Sequence, residues 1–541
     1  MGSFFTPELA NTFDLLDLRE VVRILERDYR EADEFDFAPR SYEEAMEGYR
    51  TALSMVGEVA ADVIAPRSGE IDATGTTFVD GVVGYAPGTT EAYKALADAG
   101  FAGALLPRRF GGLNFPVTVY VMMIEMVSRA DASLMTLFGY QDVGEAIAHF
   151  GPEEVAARLL PDYASGNRIA AMVLTEPGGG SDLAAVRTTA HQGADGRWYL
   201  NGTKQFISNG NGEVLLVLAR SEPKAPGMFG LSLFASDGTG VTVSRVEEKM
   251  GLHGSPTCEL VFEDAPVNLI GKRRMGMVQT MYTLNHARFS VAAQALGIAE
   301  GAYRAAASYA SERHAFGMPV AEIPAVAKML AEMKLSIEAC RALVYDGCAR
   351  LDLRNRLEIE LARDGVEGVA EKKRVFKECA AQVDFLSPAV KFYVTEAAQR
   401  VCLDAQQVFG GSGYIRETGI ERLVRDVRIT TIYEGTSQVQ AASALSGALA
   451  GIVDTLRADE TSDPIFEEAE STSRQVRSQL AAMTGADREA LAGEVVSAEV
   501  GRLAGSLLAG RPAVARAQMV TVMSELAALE ARIRHGGSVE S

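Results

Sequence analysis

The chain has 541 residues, 48% of them hydrophobic, and a formal net charge of −20, which disfavours general binding to nucleic acid or to an anionic membrane surface. At about 100–200 residues per domain, this length predicts two to four domains. No apolar run reaches the roughly 18–20 residues that span a bilayer, and the N-terminus lacks a signal-peptide pattern, so we expect a cytoplasmic protein without membrane insertion.

The first predicted domain, residues 1–168, is helical. Its clearest helix is predicted over Ser41–Val63, where Ser41 and Glu44 have the spacing of a capping box. A glycine pair within Pro107–Asn114 interrupts the helical pattern. Further helices are predicted at Glu91–Ala99, Pro116–Ser128 and Val143–Phe150.

The second predicted domain, residues 169–270, has a β pattern. Short apolar stretches alternate with turns, and Asp195-Gly196 and Asn201-Gly202 are typical hairpin turns. These features predict a β-barrel or sandwich of about a hundred residues. The predicted strands lie within Ala170–Thr175, Trp198–Asn201, Gln205–Ile207, Val214–Ala219, Leu231–Phe234, Val241–Val246 and Cys258–Phe262.

Helical periodicity returns in a third predicted domain, residues 271–450. The segments Phe289–Ser311, Val320–Leu353 and Glu367–Val408 are much longer than an average helix, which predicts a helical bundle. The charged stretch Arg354–Lys373 is expected to separate or extend two of these helices.

The last region, residues 451–541, is predicted to be a helical extension. It begins with acidic and serine-rich sequence (Asp459–Ser473), and amphipathic segments follow near Ser471–Met483 and Ala513–Ile533. We expect it to pack on the bundle and to serve in subunit association. The predicted fold class is therefore α+β: an N-terminal helical domain, a central β-barrel or sandwich, and a C-terminal helical bundle with this extension.

Four motifs contain candidate functional residues, and the first is Thr175–Asp182. Its three glycines allow a ligand to approach the backbone closely and leave N–H groups open, while Thr175 and Ser181 offer hydroxyls. The motif is not G-x-G-x-x-G and no βαβ pattern surrounds it, which disfavours a Rossmann site. Alone, it also fits a loop without a ligand.

The second and third motifs are weaker signals. In Asn201–Gly210, Phe206 and Ser208 are two residues apart, so in a strand both point to one face. In Gln407–Tyr414, a long helix enters a glycine turn, which fits either a plain helix end or a phosphate or sugar site.

The fourth motif is Ile432–Gln440. Glu434 lies between an apolar-aromatic pair and a glycine, where desolvation would raise the carboxyl pKa and suit it to general-base catalysis. Alone, the motif also fits a surface or N-capping glutamate.

Together and in this order, the four motifs resemble the acyl-CoA dehydrogenase family over roughly Glu91–Leu445. The resemblance implies an FAD enzyme of fatty acid β-oxidation. Such an enzyme converts an acyl-CoA to the trans-2-enoyl-CoA and passes electrons to an electron-transfer flavoprotein.

The resemblance also implies residue roles. Glu434 matches the catalytic base, and the Gly435 N–H matches the donor that holds the thioester carbonyl together with an FAD ribityl hydroxyl. Arg288 matches the arginine that supports the catalytic carboxylate. Substrate contacts are implied for Ser181, Asn285, Arg288 and Gly435. Flavin contacts are implied for Met172, Leu174, Thr175, Gly180, Ser181, Phe206, Ser208, Arg313, Phe316, Gln407, Gly410, Gly411, Thr436 and Gln438. Five of these residues would reach the FAD of a neighbouring subunit: Arg313, Phe316, Gln407, Gly410 and Gly411.

Three positions depart from the family pattern. Met172 stands where many members have an aromatic residue, Phe206 replaces the usual tryptophan, and Pro324 stands where glutamine is common. None of these changes removes a catalytic group, but each weakens the transfer of flavin contacts to this chain.

The insertion at Arg354–Lys373 and the extension look like a large bacterial branch that includes 3-methylmercaptopropionyl-CoA and broad-range fatty acyl-CoA dehydrogenases, which implies a homodimer. Three other functions stay open. An acyl-CoA oxidase would pass electrons to oxygen, and a flavin-free scaffold would keep only the fold. An alkylation-response flavoprotein that binds DNA is disfavoured, because residues 451–541 contain more acids than bases.

Overall fold

The computed structural model describes residues 2–363, 365–456 and 463–534. Contacts divide the chain into two compact units. The first comprises Met1–Thr6 and Leu25–Ser290, and the second comprises Pro7–Ile24 and Val291–Ser541. Within the described residues, no helix is both long and apolar enough to cross a membrane.

The N-terminal region is helical, as predicted. Ser41 caps α3, since its hydroxyl accepts a hydrogen bond from the Glu44 N–H at 3.1 Å. The Glu44 carboxylate accepts from the Arg40 N–H instead of that of Ser41, so the capping box is only half formed. The helices are α1 (Pro7–Asp14), α2 (Arg19–Leu25), α3 (Tyr42–Val59), α4 (Ser68–Thr74), α5 (Pro87–Asp98), α6 (Val117–Ala130), α7 (Ala132–Phe138), α8 (Gln141–Phe150) and α9 (Glu153–Ala164). A hairpin that the pattern did not predict, β1 (Thr77–Val79) with β2 (Val82–Gly84), precedes α5.

The central β region closes into a ring of strands. The strands are β3 (Ala170–Val173), β4 (Thr189–Gln192), β5 (Trp198–Ser208), β6 (Val214–Arg220), β7 (Leu231–Ser236), β8 (Val241–Val246) and β9 (Thr257–Ile270). The ring follows the order β6, β4, β5, β9, β7 and closes because β7 also pairs with β6, so the predicted barrel forms. Strand β3 extends the sheet beside β6, and β8 pairs with β9.

Strand β6 is buried on both faces, which explains its continuous apolar run. Leu216 and Leu218 join a cluster that includes Ile147 and Leu159 of the helices α8 and α9. Leu215 and Val217 join a second cluster on the opposite face of the sheet. This double burial makes the strands a rigid support for the loops at their ends.

Long helices make up the C-terminal region. Helix α10 contributes its first part to the first unit and the remainder to the second. The charged stretch extends two of them, since α11 (Pro324–Leu361) ends within it at Leu361 and α12 (Val369–Phe409) begins within it at Val369. The elements are α10 (Gly276–Glu312), β10 (His314–Ala315), β11 (Met318–Pro319), α11 (Pro324–Leu361), α12 (Val369–Phe409), α13 (Ile420–Arg428), α14 (Ser437–Leu449), α15 (Pro464–Ala481), α16 (Gly485–Ala490), α17 (Ala492–Leu507) and α18 (Pro512–Arg534).

The extension packs on the bundle through α17, a helix that the sequence pattern missed. It contacts α11, α12 and α14 as well as α18. It is rich in small and apolar residues, and its polar residues Glu499, Arg502 and Ser506 are buried as well. The predicted segments near Ser471–Met483 and Ala513–Ile533 fall on α15 and α18, and residues 459–462 of the acidic stretch lie outside the described residues.

Candidate active site

The glycine-rich motif of the first unit forms a tight turn after β3. Glu176 and Gly179 exchange two backbone hydrogen bonds, both of 3.0 Å. A Cβ added at Gly178 would meet nothing within 4 Å, and one at Gly180 would meet only Thr175, at 3.7 Å. Packing within the chain therefore does not require these two glycines, and the exposed backbone leaves space for a ligand.

A buried ion pair anchors this turn to β5. The ammonium of Lys204 lies 2.9 Å from the Glu176 carboxylate and donates to the carbonyls of Leu174 and Leu218 at 2.7 and 2.8 Å. Burial lowers the pKa of Lys204 to about 8, although Glu176 opposes this shift. Both residues lie within the first two motifs, but no local pattern in the sequence indicates that they pair.

The Glu176 carboxylate is also held by backbone. It accepts from the N–H groups of Arg187 and Thr188 at 2.7 and 3.0 Å. Burial opposes ionisation of Glu176, but the charge of Lys204 and these hydrogen bonds outweigh it, so the Glu176 pKa lies below its ordinary value. The carboxylate therefore fixes both ends of the loop that contains the glycines.

Phe206 lies at a β-bulge. The pairing of β5 with β9 shifts register between Lys204 and Ile207, and the Gln205 N–H donates to the Thr175 carbonyl at 2.9 Å. Phe206 has a left-handed φ of 61° and an exposed fraction of 57%, whereas Ile207 is buried. The regular strand expected here is thus interrupted. A bulky residue with positive φ is uncommon, and such strain concentrates at functional sites.

The other predicted residues of the first unit differ in their burial. Met172 and Leu174 are buried in the apolar cluster of the helices, whereas Ser181 is exposed and Ser208 is half-buried. On α10, the guanidinium of Arg288 donates to the Asn285 side chain at 3.3 Å.

In the second unit, Arg313 and Phe316 lie at a tight hairpin. Phe316 and Gly317 have φ angles of 53° and 83° and connect β10 to β11. Arg313 is exposed, and 93% of Phe316 is exposed, so the ring makes little contact with its own chain. Pro324, a departure from the family pattern, lies in the first turn of α11, where proline is well accommodated.

The predicted glycine turn follows α12 directly. Gly410 ends the helix with a φ of 58°, and a Cβ at Gly410 or Gly411 would meet nothing within 4 Å. Gly413 differs, because its Cβ would lie 2.5 Å from the Gln406 carbonyl. Gln407 is exposed beside the two open glycines.

Glu434 lies in the loop before α14. It is half-buried with a left-handed φ of 52°, and Gly435 follows with a φ of 94°. The Glu434 carbonyl accepts from Gln440 at 2.6 Å, and the Gly435 carbonyl accepts from Lys391 at 2.7 Å. Among the described residues, the Gly435 N–H has no hydrogen-bond partner.

The residues around Glu434 are also fixed. The Tyr433 hydroxyl donates to Gln294, and burial raises the Tyr433 pKa. The Thr436 hydroxyl caps α14 by accepting from the Val439 N–H, and Gln438 is exposed. No local sequence signal marks Lys391, which is distant along the chain and reaches the loop only through the packing of α12 against α14.

Comparisons with known proteins show which family this chain resembles over most of its length. Residues 47–167, 171–265 and 274–448 match the family models described as acyl-CoA dehydrogenase N-terminal, middle and C-terminal domains. An acyl-CoA dehydrogenase of Bacillus subtilis is 37% identical over 355 residues, which cover 64% of this chain and 86% of that protein.

Solved structures are similar as well. Butyryl-CoA dehydrogenase of Megasphaera elsdenii matches with a TM-score of 0.63 and 32% identity, covering 74% of this chain and 98% of that one. An acyl-CoA dehydrogenase of Bacillus anthracis in complex with FAD matches with a TM-score of 0.73 and 24% identity, covering 90% of this chain and 87% of that one. The second match shows a shared fold over more of this chain.

Proposed function

Because this chain belongs to the acyl-CoA dehydrogenase family, we propose that Glu434 removes the α-proton of an acyl-CoA thioester and that an electron-transfer flavoprotein accepts the electrons. The chain is an oxidoreductase that acts on a CH–CH bond, and FAD is its cofactor. The observation that carries the proposal is the adjacency of the half-buried Glu434 and the Gly435 N–H in one left-handed loop.

The α-hydrogen of a thioester is weakly acidic, so a carboxylate needs help to remove it. A preorganised donor on the thioester oxygen stabilises the developing enolate by about 3–4 kcal/mol. The Gly435 N–H is suited to this role because no group of the described residues accepts a hydrogen bond from it. Glu434 would then take the proton while the N–H holds the oxygen.

Observations in each unit support a fit for FAD. The exposed Phe206 ring and the open backbone at Gly178 and Gly180 suit a flat aromatic ligand, and the exposed Arg313 suits a pyrophosphate. When bound, FAD supplies the acceptor for the hydride that leaves the β-carbon. We also propose that a second copy of the chain covers Phe316, as expected for a homodimer.

The test of the base is Glu434→Gln. The variant should keep FAD and bind acyl-CoA, but its turnover should fall by about 10²–10⁴ because the general base is lost. Glu417→Gln is the matched control, since Glu417 is an exposed carboxylate of the same unit. A Glu434→Gln enzyme that retains a quarter of wild-type turnover would remove Glu434 from this role.

The acyl group and the electron acceptor need separate measurements. A panel of straight, branched and cyclic acyl-CoAs should be assayed for flavin bleaching with an artificial electron acceptor, which ranks the substrates. After anaerobic reduction by the best substrate, slow reoxidation in air and fast reoxidation by an electron-transfer flavoprotein are expected. Fast reoxidation by air would instead indicate an oxidase.

A further inference from the structure

Two buried side chains hold the carbonyls of the Glu434–Gly435 loop. The Gln440 amide donates to the Glu434 carbonyl at 2.6 Å, and the Lys391 ammonium donates to the Gly435 carbonyl at 2.7 Å. Both side chains are fully buried, with an exposed fraction of 0% each. The loop is therefore fixed from the protein interior at two successive carbonyls.

The first of these hydrogen bonds acts on the peptide group that contains the Gly435 N–H. The Glu434 carbonyl and the Gly435 N–H belong to one peptide unit, which is trans and planar, so they point in opposite directions. Because Gln440 holds the carbonyl toward the interior, the N–H is directed the other way. A donor on the carbonyl also polarises the peptide and strengthens its N–H as a donor.

The sequence around the loop fits this arrangement. A Cβ at Gly435 would lie 2.3 Å from the Gln440 amide nitrogen, so glycine leaves the room that Gln440 occupies. Glycine also tolerates the φ of 94°, whereas Glu434, with a φ of 52°, is held in a conformation that L residues seldom adopt. The two interior hydrogen bonds contribute to holding this local geometry.

We propose that Gln440 is a positioning residue, assisted by Lys391, that aims and strengthens the Gly435 N–H toward the thioester oxygen. This inference rests on the proposed function of Glu434 and Gly435. Gln440 itself does not touch the substrate. It acts through the peptide that joins the base to the oxygen-binding donor.

The test uses the Gln440→Met holoenzyme. We expect kcat to fall about ten- to a hundredfold, less than for loss of an oxyanion donor, while KM and FAD content change little because the interaction strengthens in the transition state. Exchange of the α-proton with D2O, measured on an acyl-CoA that cannot lose a β-hydride, should slow by the same factor. The carbonyl stretch of a bound, ¹³C-labelled thioester should shift toward its value in solution.

Gln382→Met is the matched control, because it removes a fully buried glutamine of the same helical region whose partner is Arg350, at 2.9 Å. It should leave kcat and the carbonyl stretch unchanged. If Gln440→Met does not yield folded holoenzyme, Gln440→Leu removes the donor with a different apolar side chain of similar volume, with the same expected losses.

Unchanged α-proton exchange, or slower turnover with an unchanged carbonyl stretch, would overturn the role of Gln440. These outcomes differ from failure of the proposed function, in which Glu434→Gln stays active. If Glu434→Gln is inactive but Gln440→Met is fully active, the positioning role of Gln440 is refuted while the proposed role of Glu434 stands.

Discussion

Replacing Lys204 by methionine should destabilise the first unit and release FAD. Methionine replaces most of the apolar stem of lysine, one atom shorter, but leaves the Glu176 carboxylate buried without its ammonium partner, which lies 2.9 Å away in the wild type. The carbonyls of Leu174 and Leu218 lose a donor at the same time. Removing one partner of a buried pair costs about 3–5 kcal/mol.

Loss of FAD should accompany this cost because Lys204 connects the turn at Glu176 to the bulge that presents Phe206. The assay compares the ratio of flavin to protein absorbance after dialysis, and urea unfolding by circular dichroism, for wild type and Lys204→Met. Lys94→Met is the control, since Lys94 forms an exposed ion pair with Asp98.

The double variant Lys204→Met/Glu176→Gln separates the charge effect from simple damage to packing. It should be less destabilised than the sum of the single variants by more than about 0.5 kcal/mol, because it leaves no uncompensated buried charge. Strict additivity, or full FAD retention in Lys204→Met, would show that the pair does not support the flavin site.

The pair also predicts a pH dependence with a defined sign. Folding lowers the Glu176 pKa, so its contribution to stability is fully present above the unfolded pKa of about 4.3 and is lost as the pH falls through the lower folded pKa. The stability difference between wild type and Glu176→Gln should therefore shrink on acidification, as measured by urea unfolding. A difference that grows on acidification would contradict this sign.

Three further predictions concern the second unit. Arg313→Ala should lower the FAD content measured after dialysis but leave the order of preferred acyl-CoAs nearly unchanged. An unchanged FAD content would count against binding of the FAD pyrophosphate by Arg313. Truncation after Ala450 removes α17 from the bundle and exposes the apolar surface that it covers. We expect aggregation or a changed assembly size in light scattering. A soluble protein of unchanged size and melting temperature would show that the extension supports neither the bundle nor the assembly. Arg502→Met removes the contacts of the buried Arg502 guanidinium with Glu499 and with the half-buried Asp454. Because Arg477 still pairs with both acids, the cost in urea unfolding should be about 3 kcal/mol, with turnover per bound FAD unchanged. Wild-type stability would show that these contacts contribute little.

The sequence determined the α–β–α order and the family, because these depend on local periodicity and on contiguous motifs. Alternation predicted most strands of the barrel, but β4 was missed, and the turn predicted at Asn201-Gly202 lies inside β5. Only the four motifs together made Glu434 the candidate base. The glycine turn after α12 was also predictable, since a glycine that ends a helix is a local signal.

Tertiary structure decided the features that depend on residues far apart in the chain. The Lys204–Glu176 pair, 28 positions apart, forms only once β5 lies beside the end of β3, and Lys391 reaches Gly435 only once α12 and α14 pack together. Helix α17 was missed, and only the tertiary structure shows that its charged residues Glu499 and Arg502 are buried as an ion pair in the packed helices. The left-handed φ of Phe206 likewise depends on the register of β5 against β9, which no local pattern in the sequence specifies.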